Sequence, residues 1–198
     1  MTRVGWIVLT GILLIASLFA ATLSLGGGAT RSVQSSRLLP RAVAAPPGGL
    51  PMGRNGLPAL DVPVAGVARG AITDTWGQAR SGGRGHHGTD IMAPEGARVL
   101  AAAPGVIEKL FRSDRGGITL YQRSPDGRWS FYYAHLAGYA PGVHEGQSVR
   151  AGQLLGFVGD TGDAGAGNYH LHFSAARLQP GQRWWQGQDV NAYPMLER

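Results

Sequence analysis

From Val4 to Leu25 the chain carries no charged side chain (VGWIVLTGILLIASLFAATLSL), and about 20 consecutive apolar residues suffice to cross a bilayer as a helix. Residues 1–25 therefore predict one N-terminal transmembrane helix. It reads as an uncleaved anchor: a cleavable signal has a shorter apolar core with small residues close behind it, whereas Ala42 and Ala44 lie well downstream. Residues 26–59 show no apolar periodicity and are rich in Gly, Ala, Pro, Ser and Arg, the composition of a flexible tether. From Leu60 onward the pattern becomes short apolar runs between turn residues. Gly66–Ile72, Arg98–Ala102, Gly105–Phe111, Gly117–Gln122 and Trp129–His135 predict strands, with reversals at Pro104-Gly105 and Pro125-Asp126-Gly127. The run from Glu145 to Gly156 places glycines at reversals and apolar residues between them, which reads as scaffold. No long helical pattern occurs after the anchor. Residues 60–198 predict a single all-β domain, a small antiparallel β-sandwich.

Composition supports this and narrows the function. Thirty-two glycines and 12 prolines in 198 residues, with 15% charged residues, suit many tight turns between short strands. There is no cysteine, which excludes a disulfide framework, a thiolate zinc site and a lipid-modified cysteine. The net charge of +6 suggests a nucleic-acid partner until it is divided along the chain: residues 1–69 hold six arginines against Asp61, whereas residues 70–198 hold twelve basic and eleven acidic residues. A nearly neutral folded part argues against nucleic acid. Arg31, Arg37 and Arg41 lie after the apolar segment while only Arg3 precedes it. By the positive-inside rule that bias mildly opposes export of the domain C-terminal to the segment.

The candidate chemistry centres on Asn168-Tyr169-His170-Leu171-His172-Phe173. In an extended chain His170 and His172 share one face, and Leu171 and Phe173 point the other way, into a core. Alone, such a pair can be an edge strand with solvated histidines. Upstream, His86 and Asp90 in Arg84-Gly85-His86-His87-Gly88-Thr89-Asp90 are spaced so that a loop entering a strand aims both inward. A carboxylate at the start of an apolar strand needs a charge partner or a metal, although by itself Asp90 can cap a turn and His86 can sit in a mobile loop. A third element, Phe131 to Leu136, carries His135 at the end of an aromatic strand, where a lone histidine is more often a core residue. Taken together the pieces describe an open zinc site, in which two imidazoles and one carboxylate bind metal, a position stays open for water, and two further histidines handle protons.

His86-x-x-x-Asp90, Tyr133-Ala134-His135-Leu136 and His170-Leu171-His172-Phe173 resemble, in order and spacing, the three motifs of the lysostaphin-type (LytM, peptidase family M23) zinc endopeptidases. The resemblance covers roughly Val64 to Leu196, including Gly146 to Gly156 and the closing Asp189 to Leu196. It implies the LytM/lysostaphin (duplicated hybrid motif) fold with a groove across one sheet, and zinc-dependent hydrolysis of peptide cross-links in bacterial peptidoglycan. Carried over position by position, it makes His86, Asp90 and His172 the zinc ligands and His135 and His170 the unliganded catalytic pair, with His87 unassigned. It also places the domain on the periplasmic or cell-wall side of the cytoplasmic membrane, held by the single-pass anchor; no regulatory partner is identifiable.

Three features depart from the family pattern. Many members have a tyrosine a few residues before the first ligand, where this chain reads Trp76 to Arg84 and offers Arg80 or Arg84 as an oxyanion stabiliser. Many continue the His-x-His strand with glutamate, here Ser174. The approach from Gly162 to Tyr169 is longer than usual, which reshapes one groove wall. Two other readings compete: a non-catalytic relative that binds the wall or activates an amidase, disfavoured because all five positions are kept; and a biotinyl- or lipoyl-carrier module, disfavoured because the only lysine, Lys109, sits inside an apparent strand.

Overall fold

The computed structural model describes residues 48–196. Nine strands make up the fold: β1 (Thr89–Met92), β2 (Arg98–Leu100), β3 (Gly105–Ser113), β4 (Gly117–Arg123), β5 (Trp129–Tyr139), β6 (Ser148–Val149), β7 (Leu154–Val158), β8 (His170–Arg177) and β9 (Gln188–Val190). Every strand pairing is antiparallel. Among the described residues no α-helix occurs, only three short 3₁₀ turns, so the all-β antiparallel expectation holds. The two-layer part of that expectation needs refinement. All nine strands join one continuous sheet in the order β1-β8-β5-β4-β3-β6, with β7 joined to β5, β2 to β7 and β9 to β8.

The sheet stays continuous because β5 changes partner along its length. Residues 129–134 pair with β8, and residues 136–139 pair with β7. At the switch Tyr133 faces Leu120 and Leu136 faces Ile118, leaving Ala134 and His135 opposite the single residue Thr119. This is a β-bulge, which bends the strand and re-aims a side chain. His135 has φ 60°, the one positive φ outside glycine among the described residues. The strand therefore runs on to Tyr139 rather than ending at His135.

Alternation places the core. On β8 the side chains of Leu171, Phe173 and Ala175 are fully buried, as are Phe131 and Tyr133 on β5, with Ile91 of β1 nearly so. A buried polar network ties this core together. The Tyr133 hydroxyl donates to Gln122 Oε1 at 2.7 Å and accepts from the Ala102 N–H at 3.0 Å, and Gln122 Nε2 donates to the Ala103 carbonyl at 2.7 Å.

Two segments differ from their expected form. Gly66–Ile72 is not a strand; it contains a 3₁₀ turn at Arg69–Ala71, docked by the Arg69 guanidinium 3.8 Å over the Tyr193 ring and bonded to the Tyr193 carbonyl at 3.1 Å. That cation–π contact gives the segment a partner other than a neighbouring strand. Within the stretch read as a tether, residues 48–59 lie against the domain. Leu50 is buried, and Asn55 Nδ2 donates to the Pro194 carbonyl at 2.8 Å. Leu60 in turn bridges to Leu196, its N–H donating to the Met195 carbonyl at 2.7 Å. The expected anchor, residues 1–25, lies outside the described residues, among which no helix is long and apolar enough to cross a membrane.

Candidate metal centre

The pairing of β1 with β8 sets Asp90 directly opposite His172 and Met92 opposite His170. Because Leu171 and Ile91 turn into the core, Asp90, His170 and His172 fall on the opposite face. His86 arrives from the loop before β1. His86 Nε2 lies 2.9 Å from His172 Nδ1 and 3.0 Å from Asp90 Oδ1, and His172 Nδ1 lies 3.2 Å from the same oxygen. His170 Nε2 stands 3.8 Å from Asp90 Oδ1. The bulge in β5 brings His135 against the same cluster, its ring centroid 4.8 Å from that of His170 and 5.9 Å from that of His172. All five side chains singled out by the sequence line one open cleft of about 660 Å³.

Backbone carbonyls fix which nitrogen of each ring carries the proton. His86 Nδ1 lies 2.8 Å from the Thr75 carbonyl, His135 Nδ1 2.7 Å from the Thr161 carbonyl, and His170 Nδ1 2.8 Å from the Asn168 carbonyl. A carbonyl only accepts, so each Nδ1 donates and each neutral ring presents a bare Nε2. His172 is turned the other way, with Nδ1 at the cluster.

The donor set fits a divalent metal. His86 Nε2 and Asp90 Oδ1 are both acceptors yet sit 3.0 Å apart, an arrangement that needs a proton or a cation between them. His86, Asp90 and His172 each offer one ligand atom within 4.8 Å of the others, and nitrogen and oxygen donors about 3 Å apart can all reach one zinc ion at about 2.1 Å. Burial opposes ionisation of Asp90, but hydrogen bonds from His172 and His86 outweigh it and hold the carboxyl well below the usual carboxylate range. Burial pushes the His172 ring down, only partly offset by Asp90, and pushes the His135 ring down against the pull of the Thr161 carbonyl. Both rings are therefore neutral at neutral pH, the form that binds metal or accepts a proton.

The surroundings contain parts that the sequence pattern missed. Thr75 acts twice: its carbonyl holds His86, and its hydroxyl accepts from the Asp90 N–H at 3.0 Å. Nothing marks Thr75 or Thr161 in the sequence, since any residue supplies a carbonyl. Gly88 had a visible signal, a glycine at the mouth of a strand, where close backbone approach is common. A Cβ there would lie 2.5 Å from His172 Cε1 and 3.0 Å from the Phe173 carbonyl oxygen. Tyr132 also lines the cleft, its ring edge-on to His172 at 5.9 Å.

Of the arginines expected to stabilise an oxyanion, Arg80 forms an ion pair with Asp90 Oδ2, and Arg84 reaches Asp163 at 3.8 Å. The unassigned His87 turns from the cluster, bonded through Nδ1 to Asp189 at 2.9 Å and stacked on Trp76 at 5.2 Å. Ser174 is nearly buried on β8. The long approach to His170 is braced by its own contacts, Gly167 N–H to Asp160 at 2.8 Å and Asn168 Nδ2 to the Ala164 carbonyl at 2.9 Å.

The antiparallel all-β domain thus carries a convergent His-Asp-His cluster of the kind that can hold a metal ion, with two further imidazoles in the same open cleft. The sequence pattern of peptidase family M23 matches residues 84–192, and the chain belongs to that family. It is 37% identical over 129 residues to the L-Ala--D-Glu endopeptidase of Bacillus subtilis, covering 62% of this chain and 38% of that protein. It is 33% identical over 90 residues to the peptidoglycan DD-endopeptidase ShyC of Vibrio cholerae, covering 46% of this chain and 20% of that one. Among solved structures, the catalytic domain of the antimicrobial peptidase lysostaphin from Staphylococcus simulans superposes with a TM-score of 0.54 at 29% identity, over 64% of this chain and 92% of that chain. The chain thus spans well under half the length of either curated relative.

Proposed function

We propose that this protein is a zinc-dependent endopeptidase that hydrolyses peptide cross-links of bacterial peptidoglycan. The observation that carries this reading is the convergence of His86 Nε2, Asp90 Oδ1 and His172 Nδ1 within 3.2 Å of one another, beside two imidazoles whose Nε2 atoms are left bare. His86, Asp90 and His172 would hold the metal. Zinc, when bound, supplies a Lewis acid and lowers the pKa of a coordinated water toward about 7. Thr75 and Arg80 orient two of the ligands, Thr75 through the His86 ring and Arg80 through the second oxygen of Asp90; such outer contacts fix ligand geometry and basicity. His135 and His170 carry the protons. Anchored at Nδ1 with Nε2 left bare, they can take a proton from the attacking water and return one to the leaving amine.

The names of the relatives support peptidoglycan as the substrate, and the wall-facing side of the cytoplasmic membrane is the location this substrate requires. Mass spectrometry of muropeptides after incubation with the full chain, with and without zinc, tests the activity. New amine and carboxyl ends at a peptide cross-link, formed only with zinc, are expected. Binding to the wall without new ends would favour the non-catalytic scaffold. A phosphatase fused after Leu60 tests location, and activity confined to the cytosol would exclude peptidoglycan as the substrate.

A further inference from the structure

Beside the metal-type centre lies a second hollow of about 280 Å³, which shares His87, Tyr132 and His172 with the main cleft. Its floor is aromatic. The ring centroids of Tyr132 and Tyr121 are 4.5 Å apart, those of Tyr121 and Trp184 4.3 Å, and those of Trp184 and Phe111 5.6 Å. Trp185 stands at the rim, 59% exposed, and Phe111 is 41% exposed. The tryptophans sit on the connection between β8 and β9, and that connection is built rather than loose. Ser130 Oγ donates to the Trp184 carbonyl at 3.1 Å. Arg123, in a two-pronged ion pair with Glu108 at 2.6 and 2.7 Å, donates to the Gln182 carbonyl at 2.9 Å. Large aromatic faces held open to solvent beside a reactive centre mark a binding surface.

Charge separates the two hollows. Arg80, Arg84 and Arg115 line the main cleft, the first two beside their partners Asp90 and Asp163, whereas neither arginine nor lysine lines the aromatic hollow. Besides the tyrosines and His172, its polar side chains are Ser130, Ser174, His87 and Asp189, the last already bonded to His87. A peptide bearing free carboxylates is drawn to the main cleft, where three arginines face two aspartates. The aromatic side suits a neutral ring with C–H faces and hydroxyl edges, because the electron-rich aromatic face attracts C–H groups while the exposed Asp189 carboxylate accepts from hydroxyls.

Resting on the peptidoglycan reading, we propose that the Tyr121–Trp184–Trp185 shelf binds a sugar ring of the glycan strand, so that the substrate lies with its glycan over the shelf and its carboxylate-bearing stem along the arginines. The probes are a disaccharide-linked, cross-linked stem peptide and the same peptide freed of its sugar. With the full chain loaded with zinc, kcat/KM should be at least tenfold higher for the sugar-bearing substrate. That ratio should fall toward one in Trp185→Ala and in Trp184→Ala; Trp185, being more exposed, serves if Trp184→Ala fails to fold. Calorimetric binding of the same two compounds is measured in parallel. If neither is cleaved, the endopeptidase reading fails, while tighter binding of the sugar-bearing compound, lost in Trp185→Ala, still supports the shelf. Equal cleavage and equal binding of the two compounds overturn the shelf even if the endopeptidase reading stands. So does a wild-type preference that Trp185→Ala leaves intact, or a concentration-dependent dimer that Trp185→Ala dissolves, which would assign the surface to a second copy of the chain.

Discussion

At the residue scale, His170 and His172 share a face of β8 yet meet different neighbours. His172 turns Nδ1 to Asp90 and His86, whereas His170 uses Nδ1 on the Asn168 carbonyl and keeps Nε2 bare. His170→Ala should therefore retain zinc and lose turnover by about 10²–10⁴-fold, as should His135→Ala. The double variant should be little worse than the worse single, because groups acting on the same protons are strongly non-additive. Zinc content and turnover on one preparation check this; near-normal turnover in zinc-loaded His170→Ala would remove the proton-carrying role. Gly88 gives a second test. An added Cβ meets the His172 ring at 2.5 Å, so Gly88→Ala should push this candidate ligand aside. A loss of about 10–100-fold in zinc affinity, the range typical when a ligand's support is disturbed, is expected in a competition titration against a chelator. Unchanged affinity would show that His172 does not hold the metal. The five side chains of the cluster were legible because their chemistry is carried by residue type. Their supports at Thr75, Thr161 and Asn168 were not, because a carbonyl belongs to every residue.

At the scale of the element, alternation made the strands readable. Leu171, Phe173, Phe131 and Tyr133 fall inward on the period of two, and the turn at Pro125-Asp126-Gly127 is closed by Asp126 accepting from the Ser124 hydroxyl and the Arg128 N–H. The bulge at Ala134–His135 was hidden, since a positive φ at histidine leaves no mark in a hydrophobic pattern. The 3₁₀ turn at Arg69–Ala71 was hidden as well, because the Tyr193 ring that docks it lies 124 residues away. The Tyr133 network yields a prediction about β5. Tyr133→Phe leaves the Ala102 N–H and Gln122 Oε1 buried without their partner. It should cost about 2–4 kcal/mol, as unpaired buried polar groups cost about 1–3 kcal/mol each. Urea denaturation monitored by tryptophan fluorescence measures it. A change below the measurement error would mean that water or a rearranged Gln122 replaces the hydroxyl.

Across the whole molecule, the three candidate ligands come from the loop before β1, from β1 and from β8. A bound ion would tie these segments together in the folded state only, so it should stabilise by mass action. With zinc about 100-fold above its dissociation constant the gain is about 2.7 kcal/mol, equivalent to about 5–10 °C in Tm for a domain of this size. A chelator should lower Tm by that amount and added zinc should restore it, while Asp90→Ala should melt at the same temperature with and without zinc. A Tm indifferent to the chelator in the wild type would argue against a metal held by these three residues.

The bridge between Leu60 and Leu196 brings the start of the β-domain proper to within one hydrogen bond of its last described turn. A module closed in this way can be spliced into a longer polypeptide as a cassette, because the host chain leaves where it entered and its own fold need not be prised apart. The homologous stretch occupies only 38% and 20% of the Bacillus and Vibrio relatives, as expected of a portable unit. The same closure makes the domain a good subject for circular permutation: joining residue 196 to residue 48 through a linker, so that the packed segment 48–59 is kept, and opening new ends at the exposed turn Pro141-Gly142 should leave the His-Asp-His cluster assembled.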